Sequence, residues 1–374
     1  MHSTRYNIIL AALITIMASA SAFAEQHAQS PKMLDDDSFA ALDGYMLGLT
    51  DAQKFSGVML VAHDGRIVFH KAYGMLDENS EAPALPDSRY NLASLGKMFT
   101  SVAILQQIAA GRLSLDTSVG EVLKDYPNRD FADKVTVRQL LTHTAGAGDI
   151  DLFGVENAEN RARVRTVSEM LALHSKRAPA FTPGTQQQYG NFGYVVLGRI
   201  IEVLSGEDYE SYVQKHIFTP AGMTHTSFLE CTDDAPDIAH GYVDVADKRQ
   251  RNCTTLPNRG FPAGGEVSTA ADLLAFVSAL QTGKLLPPAL FAEAIRAQRE
   301  FMGLGFFATG YGPGVPERDF RWGHGGSADG ICSELRTYPT TGETMIVLSN
   351  RDAPFCYGAT NFLHKRWNLQ QAEK

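Results

Sequence analysis

Strand-forming stretches occupy only the two ends of this 374-residue chain, which limits the folds open to it. Near the start, Gly57-Val58-Met59-Leu60-Val61-Ala62 and Ile67-Val68-Phe69-His70-Lys71-Ala72-Tyr73-Gly74 flank the turn residues His63-Asp64-Gly65-Arg66. Two apolar runs about such a turn predict a hairpin. Near the end, strands are predicted over residues 321–326, 330–338 and 344–349, the last two joined across 339–342. Residues 112–220 carry helical spacing and no persuasive strand. No βαβ alternation and no phosphate-binding glycine fingerprint is present. The pattern predicts an α/β fold of the α+β type, a central antiparallel sheet flanked by helices. Residues 37–111 and 221–374 would build the sheet-containing domain, and 112–220 an inserted, mostly helical subdomain. Val58 and Val347 then share one sheet, with helices over 39–49 and 355–367 side by side on one face. Residues 242–253 read as an irregular extension, and Ser268 as the cap of a helix running to Leu280.

A hydrophobic share of 44% supports a sizeable core, and a formal net charge of -9 argues against a nucleic-acid partner. Arg5, the apolar run 8–18 and Ala22-Phe23-Ala24 read as a signal peptide, residues 1–24, cleaved after Ala24. The mature chain would begin at Glu25 with a flexible leader over 25–36. It would be periplasmic or secreted, with no stable membrane span. Cys231, Cys253, Cys332 and Cys356 allow three complete pairings, among which the local Cys231–Cys253 ranks first.

The chemistry centres on Ser94-Leu95-Gly96-Lys97, at the head of a run with Met98, Val102, Leu105 and Ile108 at helical spacing. On a helix, residues three apart share a face about 5 to 6 Å apart at Cβ, so an amine is held near a hydroxyl. Gly111 ends the run. The histidines are scattered without H-E-x-x-H, so no metal and no cofactor is expected. No G-x-S-x-G surrounds a serine, which leaves little room for a Ser-His-Asp triad.

Ser94 to Lys97, with Tyr189-Gly190-Asn191 and His324-Gly325-Gly326, resembles the serine beta-lactamase and penicillin-binding-protein superfamily. The similarity is greatest to its class C beta-lactamase, D-alanyl-D-alanine carboxypeptidase and esterase branch, and it spans nearly the whole mature chain. The stretches 140–146 and Gly264-Gly265 also look like that branch. The resemblance implies a beta-lactamase/transpeptidase-like fold and an acyl-enzyme on Ser94, with Lys97 and Tyr189 sharing the base role. It implies Asn191, His324, Gly325 and Gly326 against substrate, and an oxyanion hole from the backbone N–H groups of Ser94 and Ser327. A protonated His324 is expected to help depress Lys97, and Lys97 to help Tyr189 act as phenolate. His143 and the pair Gly264-Gly265 are expected to be structural.

Two departures bear on substrate. His324 stands where classical beta-lactamases carry lysine, and Gly325 lacks the usual hydroxyl. Arg321 and Arg351 are the candidate replacement cations. The expected function is hydrolysis of a small-molecule or short-peptide acyl substrate, an ester or D-amino-acid amide. Beta-lactam hydrolysis and a non-catalytic penicillin-binding role are the alternatives.

Overall fold

The structure is a computed structural model, which describes residues 34–372. The signal peptide and most of the leader lie outside the described residues. The leader expected over 25–36 is nevertheless too long. Leu34 is buried, and Asp35 caps helix α1 (Asp36–Asp51) by accepting from the Ser38 amide.

Strands β1 (Gly57–His63), β2 (Arg66–Tyr73), β3 (Phe307–Thr309), β4 (Arg321–Ala328), β5 (Ile331–Thr337) and β6 (Glu343–Ser349) form one sheet. Its order is β2-β1-β6-β5-β4-β3, antiparallel throughout. Met59 faces Val347 and Val58 faces Leu348, so both ends of the chain meet at its centre, as expected. Successive side chains alternate between faces. Val58, Leu60, Ala62, Ile346 and Leu348 join a core with helices α2 (Lys97–Ala109), α3 (Phe192–Ser205) and α4 (Ala270–Gln281). Met59, Val61, Met345 and Val347 turn the other way, onto α1 and α5 (Phe355–Ala372). Burial on both faces is why these strands read as continuous apolar runs.

Residues 112–220 contain short helices and no ladder strand, and their apolar side chains join the α2 core. Two readings need correction. Residues 242–253 are not irregular: Tyr242–Val245 and Lys248–Arg251 pair as a hairpin. The cap of α4 is Thr269, whose side chain accepts from the Asp272 amide, and Ser268 pairs with Tyr90 instead. Both Cys231–Cys253 and Cys332–Cys356 are disulfides. Among the described residues, no helix is long and apolar enough to cross a membrane.

Candidate active site

Ser94 lies in a 3-10 turn, Ala93–Gly96, that leads into α2, so the helix starts three residues later than its spacing suggested. Ala93 is held at φ +45°, a left-handed conformation that costs a non-glycine residue about 1–3 kcal/mol. Neighbours hold it there. The Ala93 amide donates to Asn91 Oδ1 at 2.8 Å, and its carbonyl accepts from the Gly265 amide at 3.0 Å. Gly264 has φ +126°, and a side chain there would overlap the Ala93 carbonyl. The Gly264-Gly265 pair is thus structural in the way expected, allowing close backbone approach. On the opposite side β4 presses in: a Cβ on Gly326 would stand 3.0 Å from the Ser94 amide nitrogen.

Lys97 is fully buried. Its Nζ lies 3.0 Å from Ser94 Oγ, 2.7 Å from Asn191 Oδ1 and 2.7 Å from the Ala263 carbonyl. Burial lowers its pKa to about 7, against the opposing pull of Asp149 and Glu266. The geometry has a direct consequence for the neutral amine. Two carbonyl oxygens can only accept, so they take its two N–H bonds and leave its lone pair for the Ser94 hydroxyl.

Three expectations about charge change. Burial, reinforced by Lys97, lowers the His324 pKa to about 3, so this ring is neutral and is not the cation expected beside Lys97. Burial of Lys97 therefore does the work assigned to that cation. Tyr189 is not a phenolate, because desolvation raises its pKa above the ordinary tyrosine value. Some 46% of Tyr189 is exposed to the cleft, and water there tempers the shift without reversing it. His143 is buried and neutral, with ring centroids 4.3 Å from Tyr189 and 5.2 Å from Tyr194, and its Nδ1 accepts from the Gly190 amide. It packs the tyrosine in place.

Asn191 occupies the N-cap position of α3 without a capping bond, and its side chain turns to Lys97. Its Nδ2 donates to Asp149 Oδ1 at 2.8 Å. Ser94, Tyr189, Asn191 and Ser327 line one cleft of about 280 Å³, together with Asp149, Phe153, Arg259 and Asp329. β3 pairs only with residues 321–323 of β4, so β4 from His324 onward has no ladder partner on that side. Neither expected replacement cation reaches the cleft. Arg351 pairs with Glu78, and Arg321 donates to the Asp319 carbonyl. Arg259 lines it instead, while also paired to Glu210.

Two residues of the site escaped the sequence analysis. Asp149 sits in an acidic loop, with no signal beyond that loop. Glu266 follows the glycine pair and is fully buried against Gly96, its carboxyl oxygens without a side-chain hydrogen-bond partner among the described residues. Burial raises its pKa to about 8. The folded protein therefore keeps a proton that the unfolded chain releases near pH 4.3, and stability falls as pH rises from about 4.3 to 8. Glu266→Gln should match wild type near pH 4 and exceed it at pH 8 by about 2–4 kcal/mol. Urea unfolding at the two pH values measures this, and a pH-independent difference would refute it.

A buried lysine on a serine, a tyrosine ring against that lysine and an asparagine accepting from it are what a serine hydrolase of beta-lactamase fold would need. The chain belongs to the Beta-lactamase family, whose family model matches residues 40–364. The chain is 28% identical over 296 residues to the putative penicillin-binding protein PbpX of Bacillus subtilis, covering 79% of this chain and 70% of that one. The penicillin-binding protein of Bacillus halodurans superposes with a TM-score of 0.74 at 25% identity, over 89% of this chain and 99% of that one. A D-stereospecific amidohydrolase from Streptomyces gives a TM-score of 0.69 at 27% identity, over 83% and 94%.

Proposed function

We propose that this protein is a serine hydrolase that forms an acyl-enzyme on Ser94, with an ester or a D-amino-acid amide as substrate. The observation that carries this is the fully buried Lys97, 3.0 Å from Ser94 Oγ with its other two contacts on carbonyl oxygens. Lys97 takes the hydroxyl proton as Oγ attacks the carbonyl carbon. The amides of Ser94 and Ser327 hold the oxyanion. Tyr189, protonated in the resting state, gives its proton to the leaving group and takes back the one that Lys97 carries, so both are restored before deacylation. Asn191 orients Lys97, and water then releases the acyl group by the same path.

The third motif favours these substrates over beta-lactams. A neutral His324 offers no fixed charge to a carboxylate, Asp149 and Asp329 line the cleft, and the Arg259 cation there is paired to Glu210. Similarity to a D-stereospecific amidohydrolase points the same way. Comparing kcat/KM for a short-chain aryl ester, a D-alanyl amide, a D-alanyl-D-alanine peptide and a cephalosporin tests the reading. The ester and amide should lead. Cephalosporin turnover near about 10⁷ M⁻¹s⁻¹ with slow ester turnover would make the protein a beta-lactamase. Covalent labelling of Ser94 without turnover would make it a binding protein. We also assign residues 1–24 to a signal peptide of an exported protein; amino-terminal sequencing should begin at Glu25.

A further inference from the structure

We propose that Tyr357, on the first turn of α5, is a specificity-determining residue. Its phenol oxygen stands in the space of the missing side chain at Gly325 and accepts a hydrogen bond from an amine-bearing acyl substrate. This rests on the serine hydrolase reading above and names the acyl group that site takes.

The geometry begins at Gly325. A Cβ built there would lie 3.1 Å from Cε1 and 3.3 Å from Oη of Tyr357. The tyrosine ring therefore crowds the place where a threonine or serine side chain would begin, and glycine lets it sit this close without shifting. Tyr357 donates its hydroxyl proton to the Gly326 carbonyl at 3.2 Å. A phenol has one proton and two lone pairs, so with the proton committed the oxygen is left as an acceptor. Gly326 abuts the Ser94 amide, and Ser327 beside it lines the cleft, so this acceptor borders the reacting centre.

The position is braced. Cys356 immediately precedes Tyr357 and is bonded to Cys332, the cross-strand partner of Ser327. The disulfide ties the start of α5 to the strand pair that edges the cleft.

The neighbouring groups have the same polarity. His324 Nδ1 faces the Gly325 carbonyl at 2.5 Å and must donate to it, so the neutral ring keeps a lone pair on Nε2. That nitrogen is buried and has no hydrogen-bond partner among the described residues. Asp149 and Asp329 add carboxylates along the same cleft. The Tyr357 oxygen and the two carboxylates are acceptors, and the Arg259 guanidinium that also lines the cleft is paired to Glu210, where a carboxylate-recognising site offers free cations and hydroxyl protons. The complementary ligand is a donor next to the scissile carbonyl, the α-ammonium of a D-aminoacyl group.

The test is a matched pair, D-alanine p-nitroanilide and propionic p-nitroanilide, which share a leaving group and differ only in the amine. Wild type should prefer the first. Tyr357→Phe keeps the ring and removes the oxygen. It should lower kcat/KM for the D-alanine substrate about tenfold, mainly through KM, and change the propionic one less than about twofold. An equal loss on both would make Tyr357 merely structural, and no loss on either would remove it from the site; both overturn the proposal. A second readout is independent of turnover. D-Alaninamide should slow fluorophosphonate labelling of Ser94 in wild type and need about tenfold higher concentration in Tyr357→Phe. Labelling that D-alaninamide fails to slow refutes amine recognition and leaves the hydrolase reading standing. Absence of any labelling refutes the hydrolase reading. Calorimetric titration of D-alaninamide into both proteins then decides Tyr357 alone: unchanged affinity, or no binding to either, overturns the proposal.

Discussion

Ser94→Ala should reduce turnover of an aryl ester by at least about 10⁴-fold, the largest effect of any single replacement here. Among the described residues, the other hydrogen-bond partners of Lys97 Nζ are the Asn191 and Ala263 carbonyl oxygens, and neither can replace the nucleophilic oxygen. The fold should barely notice. Ser94 sits at the cleft, and the bonds holding its turn run through Asn91, Ala93 and Gly265. A stability change within about 2 kcal/mol is expected by thermal melting. Ester turnover at the wild-type rate in Ser94→Ala would remove the acyl-enzyme mechanism altogether.

Lys97→Met should cost about 10³-fold or more, because it removes the amine lone pair aimed at the Ser94 hydroxyl. A sharper signature lies in the wild-type pH profile. Protonated Lys97 has no lone pair to accept with, so kcat/KM should fall on the acid side and level off above an apparent pKa of about 7. Below that value the slope should approach tenfold per pH unit. The rise should not track His324, which titrates near 3, nor Tyr189, whose pKa moves the opposite way. An acid limb centred near pH 4 would transfer the base role to a carboxylate. The Lys97→Met residual rate should lose the limb near 7.

How much of this was readable beforehand depends on where the information lay. β1 and β6 are covered on both faces, so their apolar runs were plain, and their pairing followed from the strand-poor middle. The hairpin Tyr242–Val245 with Lys248–Arg251 was hidden for a physical reason. Lys248-Arg249-Gln250-Arg251 has no buried face to pattern, and its turn places Ala246 and Asp247, rather than a glycine, at positive φ. Ser94, Lys97, Tyr189, Asn191 and His324 were legible as motifs, and the fold gathers them. Their protonation was not legible. A reference pKa of about 6.5 for histidine describes a ring in water, whereas His324 is buried beside an amine. Asp149 and Glu266 acquire their roles only from tertiary neighbours, Asn191 in one case and Gly96 in the other.

The strand order has a consequence for how such a chain comes into being. β1 (Gly57–His63) is made long before the strand that flanks it toward the sheet centre, β6 (Glu343–Ser349). Closing so long a loop is entropically costly, and contacts this distant in sequence slow folding. Until β6 arrives, the β1–β2 hairpin presents two apolar faces and an open edge, the features that drive strand-to-strand aggregation. A nascent copy thus has no stable half-built sheet to rest in. Its centre remains open until β6 is made, and in that interval β1 has no strand to pair with on that edge.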